Sequence, residues 1–407
     1  MNNFGWISIA RLGLIQACLG SMVVLTTSTF NRVMVVELAL PALLPGLLVA
    51  LHYAVQITRP RMGHGSDVGG RLTPWIVGGM AVLALGGVLA SLATAWMSIE
   101  PAPGIVLAVV AFGLIGLGVS ASGTSLLILL AKRVSPERRA AAATVVWLMM
   151  IVGFVVTASV TGQLLDPYSP TRLVQVTVGV ALMAFCMTLL AIRNIEGAAG
   201  QDALVSVSNV AVGRPSFREA LAQVWDEPEA RRFTIFVFVS MLAYSAQDLI
   251  LEPFAGTVFG FTPGQSTSLA GLQHGGVLVG MLLAAFAGTQ FGGRQIGTLR
   301  GWMVGGCLAS ALALLGLVMA GVMGPPWPLK STVFALGVAN GAFSIAAIAS
   351  MMRLAGEGRG ARQGTRMGLW GAAQAMAFGF GGLLGAAGSD IARRWMSSTG
   401  AAYALVF

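Results

Sequence analysis

The sequence predicts an all-α, polytopic membrane protein, and two observations carry that prediction. The chain of 407 residues is 56% hydrophobic and only 10% charged, whereas a soluble domain carries roughly a quarter charged residues. Uncharged runs long enough to cross a bilayer as a helix, about 20 residues, recur along the whole chain. One such run lies between Arg71 and Glu100, and another lies between Arg300 and Lys330.

Eleven apolar runs are predicted to be transmembrane helices. They lie at about 11–30, 40–58, 74–98, 103–131, 140–163, 172–192, 232–256, 267–291, 298–322, 329–352 and 366–388. After Arg394 only 13 residues remain, which are too few for a further span. Either a twelfth helix is missing from this chain, or the count of eleven spans is wrong.

Lysine and arginine are distributed unequally between the two sides of the predicted membrane domain. If the loops after even-numbered spans lie on the side of the N-terminus, that side holds 19 of the 24 basic residues. Basic loops mark the cytoplasmic side, so the N-terminus is predicted to be cytoplasmic. The net charge of +9 consequently reflects membrane orientation and does not indicate nucleic acid as a partner.

The longest polar stretch divides the chain into two halves. We predict an N-terminal six-helix bundle at 1–192, a cytoplasmic linker at 193–231, and a C-terminal bundle of five spans plus a short tail at 232–407. Within the linker, Ser216 followed by Glu219 has the spacing of a helix-capping box. A short helix on the membrane surface is predicted there, and a simple linker is the alternative.

The two halves repeat each other in sequence. Arg71 and Arg294 each follow a pair of glycines and are 223 residues apart, and His52 and His274 are 222 residues apart. A near-constant offset indicates gene duplication. Two halves of six helices in parallel orientation are the layout of the major facilitator superfamily, so this fold is predicted, with two pseudo-symmetric bundles.

The loop after the second span resembles a motif of that superfamily, G-x-x-x-D-R-x-G-R-R. Gly63, Asp67, Gly70 and Arg71 match the motif, while Val68 stands where an arginine is expected. The resemblance implies a latch between helices on the cytoplasmic face, in which a carboxylate meets a helix N-terminus or an arginine. A weakened latch argues against vigorous alternating access.

Five sequence blocks resemble signatures of the PucC/LhaA family. They are QDLILEPFAGTVFG (247–260), STFNRVMVVELALPALLPG (28–46), ERRAAAATVVWLMMIVG (137–153), LLDPYSPTRLVQV (164–176) and RMGLWGAAQAMAFGFGG (366–382). The resemblance implies a membrane protein of a phototrophic bacterium, in its cytoplasmic or intracytoplasmic membrane. It further implies bacteriochlorophyll as non-covalent cargo, and as partners light-harvesting antenna polypeptides, the reaction centre or chlorophyll synthase.

Four ionisable residues are predicted to lie within or near the membrane: Arg32, Glu37, Asp248 and Glu252. A carboxylate at mid-membrane costs roughly 2.5–3.5 kcal/mol, so it is usually paired, protonated or functional. We expect Arg32 to pair with Glu252 or Asp248, and Pro253 to break the helix and free backbone carbonyls. The alternative is that these residues lie at the outer interface and only shape a helix end.

Five polar residues are candidates for binding the pigment. A neutral imidazole is a good axial ligand for a chlorophyll magnesium, so His52 and His274 are the first candidates, and Gln273, Asn340 and Gln374 are weaker ones. The alternative for each is a hydrogen bond between packed helices, which is common for polar residues inside membrane bundles.

Two function classes remain open. No catalytic triad, Walker loop or nucleotide fingerprint is present, and the three cysteines have no metal-binding spacing, so neither an enzyme nor a metal site is expected. The first hypothesis is an assembly factor that holds or delivers bacteriochlorophyll. The second is a proton-coupled transporter of a small amphipathic molecule that uses Glu252 or Asp248 as its proton carrier.

Overall fold

The computed structural model describes residues 4–59, 71–135, 138–196, 219, 222, 225–288, 298–357 and 363–407. These residues form helices and contain no β-strand. The helices are α1 (Trp6–Val24), α2 (Leu43–Val55), α3 (Thr73–Met97), α4 (Pro101–Arg133), α5 (Arg139–Leu164), α6 (Pro170–Ile192), α7 (Pro228–Ser245), α8 (Leu251–Phe259), α9 (Pro263–Gly288), α10 (Leu299–Met323), α11 (Leu329–Glu357), α12 (Gln363–Trp395) and α13 (Thr399–Val406).

The predicted spans coincide with these helices. Nine helices within the described residues are long and apolar enough to cross a membrane, and α2 with its 3₁₀ extension is a shorter apolar helix. The seventh predicted span, at 232–256, is divided between α7 and α8. We call the side of the membrane at which α1 begins the N-terminal face, and the other side the opposite face.

Helix α1 continues as two π-helical segments, Leu25–Phe30 and Val33–Glu37. The first segment contains a run of hydroxyl residues, of which Thr26 and Thr27 both donate to the carbonyl of Val23. Such local bonds compete with the α-helical pattern of backbone bonds. A π-helix bonds residue i to residue i+5, so side chains five positions apart come onto one face at this end of α1.

The break between α7 and α8 follows from Pro253. Proline has no backbone N–H, so the carbonyl four residues earlier, that of Leu249, receives no helical hydrogen bond from it. The side-chain amide of Asn31 on α1 donates to this carbonyl at 2.6 Å in a buried position. The expected break and freed carbonyl are confirmed, and the donor comes from the other half of the molecule.

The two halves pack their helices in the same way, as the repeat predicts. A methyl group added at Gly79 of α3 would lie 2.6 Å from the backbone nitrogen of Ser122 on α4. One added at Gly306 of α10 would lie 2.8 Å from the backbone nitrogen of Phe343 on α11. Both helix pairs therefore approach closely through glycine, which is how small residues let membrane helices pack.

Apolar side chains form the interior and also cover the outside. The first half holds one buried cluster that includes Phe30, Phe112 and Ile115. Large apolar side chains also point outward, among them Leu308 and Leu312 of α10, which are 64% and 70% exposed. A soluble protein rarely exposes so large an apolar surface, so this exterior faces lipid and the protein is a multi-pass membrane protein.

Several predictions fall outside the described residues. Gly63, Asp67 and Gly70 of the latch loop lie there, and so does Ser216 of the predicted capping box. The boundaries of the linker, 193–231, stay predictions. Arg71 is described and exposed at the start of α3.

Candidate functional site

The ionisable residues of α1 form an ion pair with each other. Arg32 is buried, and its Nη1 lies 2.6 Å from Oε1 of Glu37. The expected pairing of Arg32 with Glu252 or Asp248 was therefore wrong. Arg32 pairs with Glu37 instead because the π-helical segment brings residues five apart onto one face.

Arg32 also fastens the two halves together. Its Nη2 donates to the carbonyl of Phe261 at 2.7 Å, and its Nε lies 3.4 Å from Oγ of Ser266 on α9. The hydroxyls of Thr29 and Thr267 lie 3.2 Å apart beside it. Charge-assisted bonds are the stronger class of hydrogen bond, so Arg32 is a strong polar contact between the halves at the opposite face.

A cavity of about 660 Å³ opens beside this contact, lined in part by Arg32, Glu37 and Asp166. The Glu37 side chain is 32% exposed, so it reaches water, which fits the alternative interpretation of an outer interface. The hydroxyl of Thr262 donates to Asp166 at 2.8 Å across the mouth of the cavity. The pKa of Tyr168 in this loop is raised to about 12, chiefly by burial and also by the Glu37 carboxylate, while Arg32 opposes the rise.

The two acids near the helix break lie in different surroundings. Glu252 is buried beside Ser28, but neither its Oε2 nor the Ser28 hydroxyl makes a hydrogen bond within the described residues. Asp248 lies in the turn between α7 and α8, is only partly buried, and is close to the phenols of Tyr53 and Tyr244. Unpaired acids at this depth are unusual and are functional candidates.

His274 on α9 has one ring nitrogen fixed and the other available. Its Nδ1 lies 2.8 Å from the carbonyl of Ala270, and a carbonyl only accepts, so Nδ1 carries the proton. The neutral ring therefore presents a lone pair at Nε2, for which the described residues supply no hydrogen bond. Phe154 of α5 packs against the ring at 4.7 Å between centroids, and the imidazole is only partly buried.

His52 on α2 is closed off. It is 1% exposed, and its Nε2 lies 2.9 Å from Nε2 of Gln56 one turn further along the helix. Its Nδ1 is buried without a partner among the described residues. The hydrogen bond is within α2 and not between helices, and a pigment cannot reach this ring in the present conformation.

The three weaker pigment candidates are scattered over the second half. Gln273 is buried next to His274 on α9. Asn340 on α11 accepts a hydrogen bond from Ser310 at 2.6 Å, and its amide nitrogen is buried without a partner in the described part of the chain. Gln374 on α12 is partly buried, with its amide 3.9 Å from the sulfur of Met241. None of these contacts involves a histidine, and the role of the three residues stays a prediction.

An apolar groove lies between α10 and α11. It has a volume of about 700 Å³, and small residues line both of its walls, including Gly301, Gly305, Ala309, Ala335 and Ala339. The small side chains leave space that a bilayer fills with hydrocarbon. The groove therefore belongs to the lipid-facing surface.

Two acids that sequence reasoning missed cap helix N-termini. Glu196 accepts from the backbone nitrogens of Leu72 and Thr73 at 2.7 and 3.0 Å and from the Thr73 hydroxyl at 2.6 Å. Burial opposes its ionisation, but these bonds and the nearby Arg71 outweigh it, so its pKa lies below the ordinary value. Carboxylates at helix N-termini are generally stabilising.

Asp390 of α12, in the second half, caps the start of α2 in the first half. It accepts from the backbone nitrogens of Ala42 and Leu43, at the start of α2, at 3.1 and 2.8 Å. The only sequence signal for it was a helix start without a local capping side chain, because α2 is preceded by Pro41 and Ala42. Its partner is 348 residues away along the chain, so local spacing could not reveal it.

These helices, paired across an internal repeat, define a membrane protein of the major facilitator fold. A solved structure of a mutant peptide transporter POT in complex with alafosfalin has the same fold, with a TM-score of 0.69 and 14% sequence identity over 98% of this chain and 92% of that chain. At this identity the likeness shows the fold alone.

The chain belongs to the PucC family, as the five sequence blocks predicted: the family model described as PUCC protein matches residues 29–407. It is 53% identical over 403 residues to the Bacteriochlorophyll synthase 44.5 kDa chain of Rhodobacter capsulatus, covering 99% of this chain and 92% of that relative. It is 30% identical over 393 residues to Protein PucC of the same species, covering 92% of this chain and 81% of that relative.

Proposed function

We propose that this protein is an assembly factor that binds bacteriochlorophyll and delivers it to light-harvesting antenna polypeptides. Membership of the PucC family supports the proposal, as does the similarity to a relative whose name contains bacteriochlorophyll. The pigment is non-covalent cargo. The antenna polypeptides, and beside them the reaction centre or chlorophyll synthase, are the proposed partners.

The observation that carries the proposal is the state of His274. A histidine that ligates a metal almost always donates its other ring N–H to a carbonyl or carboxylate, which fixes its tautomer and orientation. His274 donates from Nδ1 to the carbonyl of Ala270. Its ring packs against Phe154 and is only partly buried. Its Nε2 is thus suited to be the axial ligand of a pigment magnesium.

We further propose that the protein holds pigment without making it. One relative is named as a synthase chain, but others are named Protein PucC. A fold of membrane helices shared with transporters offers sites between helices, which suit storage and transfer of a bulky apolar molecule.

The membrane and orientation are part of the proposal. We propose the inner membrane or its intracytoplasmic extension in a phototrophic bacterium, with the N-terminus in the cytoplasm. The excess of basic residues on that side supports this orientation. In a chain with its native cysteines replaced, Glu100→Cys should react with a membrane-impermeant maleimide from the periplasm, and Ser135→Cys should not. The reverse labelling would overturn the orientation.

The binding experiment compares two histidine variants of the full chain, purified in mild detergent from a pigment-producing host. We expect His274→Leu to weaken bacteriochlorophyll binding at this position by about tenfold, the effect of losing roughly 1.4 kcal/mol of binding, and therefore to lower the pigment bound per chain. His52→Leu is the control at the repeat-related position and should change occupancy little. The measurement is the near-infrared absorption of each purified chain relative to its protein concentration.

A rescue experiment excludes an indirect effect of misfolding. His274→Gly leaves a space that free imidazole can enter, so added imidazole should restore pigment binding to this variant. A wild-type chain that carries no pigment would overturn the proposed function. Equal occupancy in the wild type and His274→Leu would overturn the role of His274.

The second candidate function is a proton-coupled transporter of a small amphipathic molecule. The observation that favours it is Glu252, a buried carboxyl group with an unpaired oxygen close to Arg32. In reconstituted vesicles, uptake driven by a pH gradient and abolished by Glu252→Gln would support transport. Bound pigment without any such uptake would favour the assembly factor.

A further inference from the structure

Four side chains from both halves meet near the middle of the membrane. Tyr53 of α2 stacks on Phe378 of α12 at 5.5 Å between ring centroids, with an interplanar angle of 18°. Tyr244 of α7 meets the same phenyl ring edge-on at 5.9 Å and 89°. Asp248 lies one turn beyond Tyr244, close to both phenols. Phe378 is near the midpoint of α12, which sets the depth of this group.

These side chains are not fully covered, although they lie between packed helices. All four are only partly buried. No hydrogen bond to the Asp248 carboxylate or to either phenol, and no ion pair of Asp248, is found among the residues that the structure describes. Asp248 and the two hydroxyls therefore have unused hydrogen-bonding capacity.

The chemistry of the four groups is complementary to a metal-containing planar macrocycle. Aromatic rings pack well against a flat apolar ring system. Carboxylate oxygen is a preferred ligand of Mg²⁺, and a phenol can donate a hydrogen bond to a carbonyl group. An unpaired carboxyl at mid-membrane is unfavourable unless a ligand or a proton satisfies it.

We propose that Tyr53, Tyr244, Asp248 and Phe378 form a second seat for a magnesium tetrapyrrole, separate from His274. Asp248 supplies an oxygen ligand to the magnesium, the three aromatic rings pack against the macrocycle and its edge, and the two hydroxyls donate to carbonyl groups on its periphery. This inference rests on the proposed function, because that function makes the tetrapyrrole the cargo.

The second seat and His274 lie at interfaces between the halves that the internal repeat relates to each other. His274 lies where α9 of the second half packs against α5 of the first, beside Phe154. Tyr53 lies where α2 of the first half packs against α12 of the second, beside Phe378. The repeat relates α2 to α9, and Tyr53 follows His52, the residue equivalent to His274. Each of the two repeat-related interfaces therefore carries one proposed pigment position.

The experiment titrates the full chain in detergent with bacteriochlorophyll a and, separately, with its magnesium-free counterpart. The His274→Leu background isolates the second seat. In that background we expect Asp248→Ala to weaken binding of the magnesium pigment by about tenfold, and to leave the magnesium-free pigment unchanged. Tyr244→Leu and Phe378→Leu should weaken both pigments by a similar factor, about fivefold, because they remove ring packing.

Matched controls separate these effects from damage to the fold. Asp166→Ala removes a carboxylate at the opposite face, and Phe236→Leu removes an aromatic ring of α7 that packs on Phe343 outside the group. Both should bind like the parent chain. Asp248→Asn keeps the shape of the side chain, so it serves if the alanine variant does not fold, as judged by circular dichroism and gel filtration.

The outcomes are distinguishable from failure of the proposed function. Unchanged binding of both pigments in the Asp248, Tyr244 and Phe378 variants would overturn the second seat and leave the proposed function standing. An equal loss for both pigments in the Asp248 variants would overturn its role as magnesium ligand. A wild-type chain that binds neither pigment would overturn the function and the seat together.

Discussion

The two halves meet along two seams that the repeat relates to each other, and the seams are built differently. In the α5/α9 seam backbone meets backbone, because a methyl group added at Gly264 would lie 2.3 Å from the carbonyl oxygen of Gly162. In the α2/α12 seam one added at Gly379 would have Cβ of Tyr53 as its nearest neighbour, at 3.3 Å. The two seams thus join equivalent helices, but the α5/α9 seam is tight at the backbone, whereas side chains are the nearest atoms in the α2/α12 seam at Gly379.

The same comparison explains why the two equivalent histidines differ. In the tight α5/α9 seam the His274 ring donates to its own helix and keeps a nitrogen open. In the α2/α12 seam the ring of His52 is buried and hydrogen-bonded to Gln56. The neighbouring Tyr53, which stacks on Phe378, is the residue that is only partly buried there. A repeat in sequence therefore does not imply a repeat in side-chain environment.

The largest expected effect comes from disturbing the tight seam. Gly264→Ala should lower the unfolding free energy by about 1–3 kcal/mol, because the new methyl group overlaps backbone atoms that cannot move aside. Gly379→Ala is the matched change in the other seam and should cost clearly less. Thermal unfolding of the purified chains in one detergent gives both values. Equal values would mean that the α5/α9 seam can widen as easily as the α2/α12 seam.

A comparable loss of stability is expected when the hydrogen bond from Asn31 to the break between α7 and α8 is removed. Asn31→Leu removes the donor to the Leu249 carbonyl and leaves a buried acceptor unsatisfied, which costs about 1–3 kcal/mol. Adding Pro253→Ala supplies a backbone N–H to that carbonyl, so the double variant should recover most of the lost stability in the same thermal assay. No recovery would show that the Asn31 amide stabilises the chain in another way.

A smaller effect is expected at the opposite-face end of the α2/α12 seam. Asp390→Ala removes the cap of α2 and should cost about 1 kcal/mol, the usual value for a helix cap. Hydrogen exchange should then rise in the first turn of α2. Asp166→Ala in the α5/α9 seam loses one exposed hydrogen bond to Thr262 and should change exchange less. Equal exchange in α2 for the two variants would contradict the capping role.

The smallest expected loss of stability comes from removing the Glu196 carboxylate. Its hydrogen bonds lie within the first half, so this variant is a reference that disturbs neither seam. The pKa of Glu196 is lowered in the folded chain from its ordinary value of 4.5. Its contribution is therefore complete above that ordinary value and is lost as the pH falls through the lowered folded pKa. Glu196→Gln should remove about 0.5–1 kcal/mol at pH 7, and the difference from wild type should shrink towards pH 3 in melting curves.

The sequence predicted the fold well because hydrophobic length is a strong signal in membrane proteins. The eleven apolar runs coincide with helices, and the offset between Arg71 and Arg294 anticipated two equivalent halves. Pro253 predicted the break between α7 and α8, because the loss of an N–H is a local property of the residue. These features depend on single residues or on short windows of sequence.

The site could be predicted only in part, because its contacts depend on helix type and on distant segments. In an α-helix, residues five apart differ by about 140° around the axis, so Arg32 and Glu37 were not expected to meet. The π-helical segments that bring them together have no reliable sequence signal. Asp390 and Glu196 cap helices that are far away along the chain, and no spacing rule applies to such pairs.

The bond from Asn31 to Leu249 has a consequence for how the chain can be divided. Hydrocarbon cannot hydrogen-bond to a free carbonyl, so every backbone acceptor in a bilayer must find its partner within protein. If the segment beginning at α7 is expressed without the first six helices, the Leu249 carbonyl has no Asn31 amide to accept a hydrogen bond from. Gene fragments that separate the repeats should therefore assemble only when both are made together.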